Sequence, residues 1–245
     1  MQIRKDGSSP WGKRIHFEEP EFELMMDDLR FRTSGECFTS GKGVDVERVL
    51  MKGVGVEADY VDLPDGVMGR TMFNPDGSVI IEVSRELSEA AEGDAASRRR
   101  LRTTLAHECG HFACHGALFV HDVDTLSLFD NHGAEKLEKK PPIMCRHAGA
   151  AAGRYSGEWW EFQANQCMAS LLTPRKLFGA ATRRVLKTLA VTSFEEAIVA
   201  GHGQIALRTL ADEFDVSKQA TLIRLQTLGF VPIGPQSKLD LVDMQ

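Results

Sequence analysis

Two periods of apolar residues divide the chain into segments. A spacing of two marks strands, and a spacing of three to four marks one face of a helix. The clearest strand is "SVIIEV", preceded by the β-rich "MGRTMF". Between them Asn74-Pro75-Asp76-Gly77-Ser78 predicts a hairpin turn, because Pro fixes φ and Gly accepts positive φ. Upstream, "VDVERVL" (44–50) predicts a short helix and "GVEADYVDLPDG" a strand entering a turn. After "AAEGDAAS" a long helix is expected, with Arg98, Arg99, Arg100 and Arg102 in its first turns, running through His115 to a stop at Gly116. "EWWEFQANQCMASLL", ended by Pro174, and "PRKLFGAATRRVLKTL" predict two further helices. "HGQIALRTLADEFDVSKQATLIRLQTLGFV" shows two helical patterns around Asp215-Val216-Ser217, with Ser217 as N-cap, which is the helix-turn-helix pattern.

This order of elements predicts an α+β fold. Residues 1–42 mix charge with Pro, Gly and Ser and read as an N-terminal extension carrying a short helix at about Glu21–Phe31. Residues 43–195 form the main domain, 120–157 an insertion with little periodicity, and 196–245 a C-terminal helical module. With 245 residues, of which 42% are hydrophobic and 26% charged, the chain can bury a substantial core. No apolar run reaches the length of a signal peptide or a membrane span, so a cytoplasmic protein is expected. The five cysteines Cys37, Cys109, Cys114, Cys145 and Cys167 lack a paired spacing and are expected to remain thiols. A net charge of −6 gives no overall attraction to nucleic acid or anionic lipid.

The chemistry concentrates in "TTLAHECGHFACH" (103–115). Residues four apart on a helix differ by only about 40° in direction, so His107 and His111 can face one cation. Glu108, one position round from His107, can then reach a metal-bound water without joining the coordination sphere. This is the logic of H-E-x-x-H in zinc hydrolases. Incidental histidines on a partly buried helix are the plain alternative for this motif on its own.

His115 is a poor third ligand. It lies about 12 Å from His107 along an unbroken helix at about 1.5 Å per residue, whereas zinc–nitrogen bonds are about 2.0–2.1 Å. It is read instead as a group lining the cleft, supporting a ligand from behind, or lying on the surface. A better candidate is in "EWWEFQANQCMASLLTP". There Glu161, Asn165, Met168 and Leu172 share one helical face. Glu161 can reach the cation, and Asn165, one turn on, can orient a metal-bound His through its second ring nitrogen. Glu158, one turn earlier, is the rival carboxylate.

"LAHECGH" followed by "EFQANQCMASLLTP" resembles the ImmA/IrrE metallopeptidases, whose pattern is H-E-x-G-H, then E-x-x-A-N, then L-L-x-P. The matching residues are His107, Glu108, Gly110 and His111, then Glu161, Ala164 and Asn165, then Leu171, Leu172 and Pro174. The resemblance covers about Val44 to Pro174. It implies a zincin-like core, a small antiparallel or mixed sheet packed on the H-E-x-x-H helix, with a helix-turn-helix-like module after it. By this likeness Glu161 is the third ligand of a His-His-Glu zinc site and Glu108 the general base. The implied substrate is a helix-turn-helix repressor, whose cleavage releases stress or mobile-element genes. The interval between His111 and Glu161 is longer than the family's. Cys145 within it is either a free thiol or a fourth ligand that keeps the enzyme latent.

Manganese is the alternative to zinc, since His-His-Glu sites accept several divalent ions. His115 and Tyr155 are candidate donors to the oxyanion. In the C-terminal module, Leu210, Ala211, Phe214, Val216, Ala220, Ile223, Leu225 and Leu228 are the expected core, with Lys218, Gln219, Thr221 and Arg224 on the exposed face. Residues 201–245 hold four Lys or Arg against five Asp or Glu, which favours structural support or repressor docking over DNA binding. The contrasting overall reading is a non-catalytic, metal-binding transcriptional regulator or protein-interaction module. A structural or sensory metal needs the ligands but not Glu108.

Overall fold

The computed structural model describes residues 1–7, 9, 11–38, 43–74, 77–119, 143–146 and 158–232, excluding the side chains of 143–146. The described chain is a mixed α+β structure dominated by helices. It begins with strands β1 (Gln2–Lys5) and β2 (Lys13–His16), followed by helix α1 (Glu19–Arg32). A short α2 (Val46–Arg48) runs directly into a π-helical turn at Val49–Val54. Strands β3 (Ala58–Val61), β4 (Val67–Phe73) and β5 (Val79–Ser84) precede helices α3 (Arg85–Gly93) and α4 (Ala95–His115). Then come β6 (Ile143–Arg146), α5 (Trp159–Leu172), α6 (Arg175–Thr188), α7 (Phe194–Val199), α8 (Gly203–Phe214) and α9 (Lys218–Thr227). No described helix is long and apolar enough to cross a membrane.

β1 and β2 pair as an isolated antiparallel ribbon, and the other strands form a sheet in the order β3-β5-β4-β6. β3 runs parallel to β5, whereas β4 is antiparallel to both β5 and β6. The hairpin expected at Asn74–Ser78 joins β4 to β5. Asn74 N–H donates to the Ser78 carbonyl at 2.9 Å, and Gly77 has φ +84°. Alternation along β4 buries Val67, Gly69 and Thr71, and this face meets α4.

α4 starts at Asp94, whose carboxylate accepts from Ser97 N–H at 2.7 Å. Its C-terminal half is buried nearly all round, from Thr104 to His111 and again at Cys114 and His115. The α-helix ends at His115 as expected, although Gly116–Leu118 continues as a 3₁₀ turn instead of breaking away. On one side lies the sheet and on another lies α5. Two glycines permit these approaches. A Cβ on Gly69 would stand 2.8 Å from both Glu108 Oε1 and Thr104 Cγ2, and one on Gly110 would stand 2.7 Å from the Ala164 carbonyl oxygen.

The segment expected to be an extension is built into the centre. α1 contributes Phe22, Met26 and Leu29 to the main core, which continues through Leu105, Leu171 and Phe178 to Leu225 and Val231. Two arginines close the C-terminal end of α5, where carbonyls lack helical partners. Buried Arg30 donates to the Ser170 and Leu171 carbonyls at 2.8 and 3.1 Å, and buried Arg224 donates to the Thr173 carbonyl at 2.9 Å and to Glu23.

Arg224 corrects the expected orientation of α9. Arg224 and Thr221 face inward, 3% and 0% exposed, whereas Ile223, expected in the core, is 40% exposed. A charged partner on α1 outweighs hydrophobicity in fixing this helix. The α8–α9 turn is anchored similarly. Asp215, at φ +49°, accepts from Arg98 at 3.0 and 3.2 Å and from Arg99 at 3.1 Å, with Arg102 3.5 Å away.

Burial alone would raise the Asp215 pKa, but the Arg98 and Arg99 hydrogen bonds and the Arg102 charge hold it below the ordinary carboxylate range. A depressed folded pKa stabilises the fold above the unfolded value of about 3.9, and that contribution fades as pH falls through the folded pKa. Asp215→Asn, which tolerates the same backbone conformation, is therefore expected to cost about 1–3 kcal/mol at neutral pH. The difference from wild type should shrink on acidification to about pH 3. Urea unfolding of both proteins at the two pH values measures it, and a pH-independent difference would rule out the charge-pairing account.

Candidate metal centre

α4 and α5 cross at Gly110 and Ala164, and this crossing brings the two motifs together. His107 Nε2 lies 2.9 Å from His111 Nε2 and 3.0 Å from Glu161 Oε2, while His111 Nε2 lies 3.4 Å from Glu161 Oε1. Ligands about 2.0–2.1 Å from a tetrahedral zinc are separated by about 3.3 Å, so a triangle of this size fits one ion. These are also the three residues whose ligand atoms form a metal-compatible group among the described residues. Glu158 is exposed and forms the N-cap of α5, outside this group.

The donor chemistry agrees with the spacing. His107 Nδ1 is 3.1 Å from Asn165 Oδ1. With the amide oxygen turned to the ring, Nδ1 carries the proton and Nε2 keeps its lone pair for the ligand side. Burial pulls the His107 pKa down, but the Glu161 hydrogen bond and the charges of Glu108 and Glu161 more than reverse this. His111 is lowered to about 4 by burial and by His107. Burial would raise Glu161, yet the hydrogen bonds and charges of both histidines hold its carboxyl far below the usual range. The trio therefore favours added positive charge, and a divalent cation held between the three side chains would meet that preference. The geometry does not select which cation.

Glu108 points from α4 toward the sheet. It is fully buried, and Thr71 Oγ1 donates to its Oε2 at 2.5 Å. Oε1 has no hydrogen-bond partner among the described residues. Burial pushes its pKa up to about 7, opposed by His107 and by the Thr71 hydrogen bond. A carboxyl balanced near neutrality can both accept and return a proton.

His115 is 0% exposed and lies behind His111, their Nδ1 atoms 3.2 Å apart. Its Nε2 lies 3.2 Å from Gln163 Oε1. Both ring nitrogens are thus engaged within the interior, one by His111 and the other by Gln163. Tyr155 and the rest of 147–157 lie outside the described residues, as do 120–142. Cys145 pairs through its backbone with Gly69 in β4–β6, and its side chain, on which the latency expectation rests, lies outside the described residues. Cys37, Cys109, Cys114 and Cys167 are buried free thiols, as expected.

Three contributors were not found from sequence. Thr71 depends on the strand face, Gly69 on the approach of α4, and Gln163 on contacts far along the chain. Only the β4 alternation offered a signal, for Thr71. No family model matches the chain, and no curated protein does.

Proposed function

We propose that the chain is a zinc-dependent endopeptidase of the ImmA/IrrE kind, acting in the cytoplasm on a helix-turn-helix transcriptional repressor. In this reading the sheet and α4 make a zincin-like core, and α8–α9 form a helix-turn-helix-like module that supports the core or docks the repressor. The inward-facing Arg224 weighs against use of α9 on DNA. The substrate class is taken from the resemblance of the two motifs.

Glu108 carries the catalytic reading. A structural or sensory metal has no use for a fully buried carboxylate beside its ligands, with one oxygen held by Thr71 and the other unpartnered among the described residues. Such burial costs stability, and a general base gives it a purpose. His107, His111 and Glu161 would hold the ion, which when bound acts as a Lewis acid and acidifies a coordinated water. Glu108 Oε1 takes the proton of the attacking water and later passes it to the leaving amine. Thr71 keeps Oε2 fixed throughout.

The test is incubation of the zinc-loaded protein with a helix-turn-helix repressor from the same organism, followed by mass spectrometry of the products. A discrete fragment should appear, vanish with a chelator and return with zinc. Persistence of the intact repressor under all conditions would remove this substrate class. Cleavage that ignores the chelator would remove the metal mechanism.

A further inference from the structure

We propose that His115, Gln163 and the Ile15 carbonyl form a hydrogen-bonded relay that fixes the tautomer of His111 and presents its Nε2 lone pair to the metal position. The relay rests on the metal-centre reading above, but the hydrogen-bond chain that defines it is independent of any ion. It makes His115 and Gln163 positioning residues for one ligand, as Asn165 is for the other.

The direction of the chain follows from its far end. Gln163, 4% exposed, donates through its amide nitrogen to the Ile15 carbonyl at 2.7 Å. A backbone carbonyl only accepts, so the Gln163 amide cannot be reversed without placing two oxygens together. Its Oε1 therefore faces His115 Nε2, and that nitrogen must carry the hydrogen. His115 is packed beside Trp11 and Trp159, with ring centroids 6.2 and 5.5 Å away, and has no exposure to water. In that apolar surrounding the ring is neutral, which leaves a lone pair on Nδ1. The nearest polar atom across from it is His111 Nδ1 at 3.2 Å, which must then be the donor. A neutral His111 protonated on Nδ1 has its lone pair on Nε2, the atom that lies 2.9 Å from His107 Nε2 and 3.4 Å from Glu161 Oε1.

The two histidine ligands are thus oriented by different means. Asn165 on α5 contacts His107 directly, whereas His111 is held through two side chains ending on the backbone of β2. Residues that orient a ligand through its second ring nitrogen typically change metal affinity by about 10–100-fold when removed. An α4 residue one turn past the motif and a glutamine on α5 thereby bear on metal binding without approaching the ion.

The experiment has two readouts, neither of which is cleavage. In the metal-free full-length protein, two-dimensional ¹⁵N spectra of the imidazoles should show His111 protonated on Nδ1 and His115 on Nε2. In competition with a chromophoric chelator, His115→Phe and Gln163→Leu should bind zinc about 10–100-fold more weakly than wild type. Gln163→Glu repeats the pattern as the neutral acid, its hydroxyl donating to the Ile15 carbonyl and its other oxygen accepting from His115, and in that form should lie much closer to wild type. If His115→Phe does not fold, Gln163→Leu and the wild-type spectrum still decide. His107→Ala is the control for the centre itself. If it abolishes tight zinc binding while His115→Phe and Gln163→Leu bind like wild type, or if His111 carries its proton on Nε2, the relay is overturned and the centre stands. If wild type binds no zinc, the centre fails and so does the relay's function.

Discussion

Glu108→Gln is expected to retain zinc affinity within a few-fold while lowering turnover of a cleaved substrate by about 10²–10⁴-fold, the usual contribution of a positioned general base. Glutamine has the same shape, and its amide oxygen can still accept from Thr71 Oγ1, which now meets Glu108 Oε2 at 2.5 Å. What disappears is a group able to take a proton. The same change removes a buried carboxyl whose pKa burial has raised to about 7. The variant should therefore also be at least as stable as wild type at alkaline pH, where that carboxyl would otherwise have to ionise inside the protein. Zinc titration, cleavage assays and thermal melts on one preparation separate the effects. Full activity in the variant would show that Glu108 is not the base, and lost zinc binding would make it a ligand instead.

Gly110→Ala is expected to reverse the usual effect of filling a glycine in a helix. Helix propensity alone predicts a gain of about 1 kcal/mol from glycine to alanine. Here the new Cβ would lie 2.7 Å from the Ala164 carbonyl oxygen and 3.0 Å from both Ala164 Cα and Cys167 Cβ. Two of those atoms are backbone of α5 and cannot turn aside, so the helices must part. Overpacking of this kind costs about 1–3 kcal/mol, and it should outweigh the propensity gain. The larger effect is expected on metal affinity, because two of the candidate ligands stand on α4 and the third on α5. Separating the helices widens the triangle, so zinc affinity should fall about 100-fold or more, the high end for a disturbed ligand arrangement. Denaturant unfolding of the metal-free protein and a zinc titration test both parts. A stabilised variant with unchanged affinity would mean that the crossing has slack.

The features legible in the sequence were those set by local spacing. A spacing of four from His107 to His111 dictates one helical face, Asn74 and Gly77 dictate a turn, and the i, i+4 pair of Glu161 and Asn165 faces the histidines as the second motif implied. What was not legible depends on partners distant in the chain. Arg224 belongs on a solvent-facing stripe until Glu23, 201 residues away, becomes its neighbour. α1 resembled an extension because its apolar patch is small, and only packing shows Phe22, Met26 and Leu29 to be core. The strands β1 and β2 are short and rich in charge, without the alternation that marks a strand. α3 follows β5 without a break, with Ser84 serving as its N-cap, so neither Gly nor Pro punctuates the change.

The pairing of Arg224 with Glu23 and with the end of α5 gives the molecule an order of completion in time. Synthesis proceeds from the N-terminus, and folding units close as their segments emerge. Both motifs of the candidate metal centre leave the ribosome well before α9, so a partly made chain already has His107, His111 and Glu161. It lacks the arginine that closes the Thr173 end of the helix bearing Glu161. The three candidate ligands thus precede, in the order of synthesis, the arginine that clamps the far end of α5.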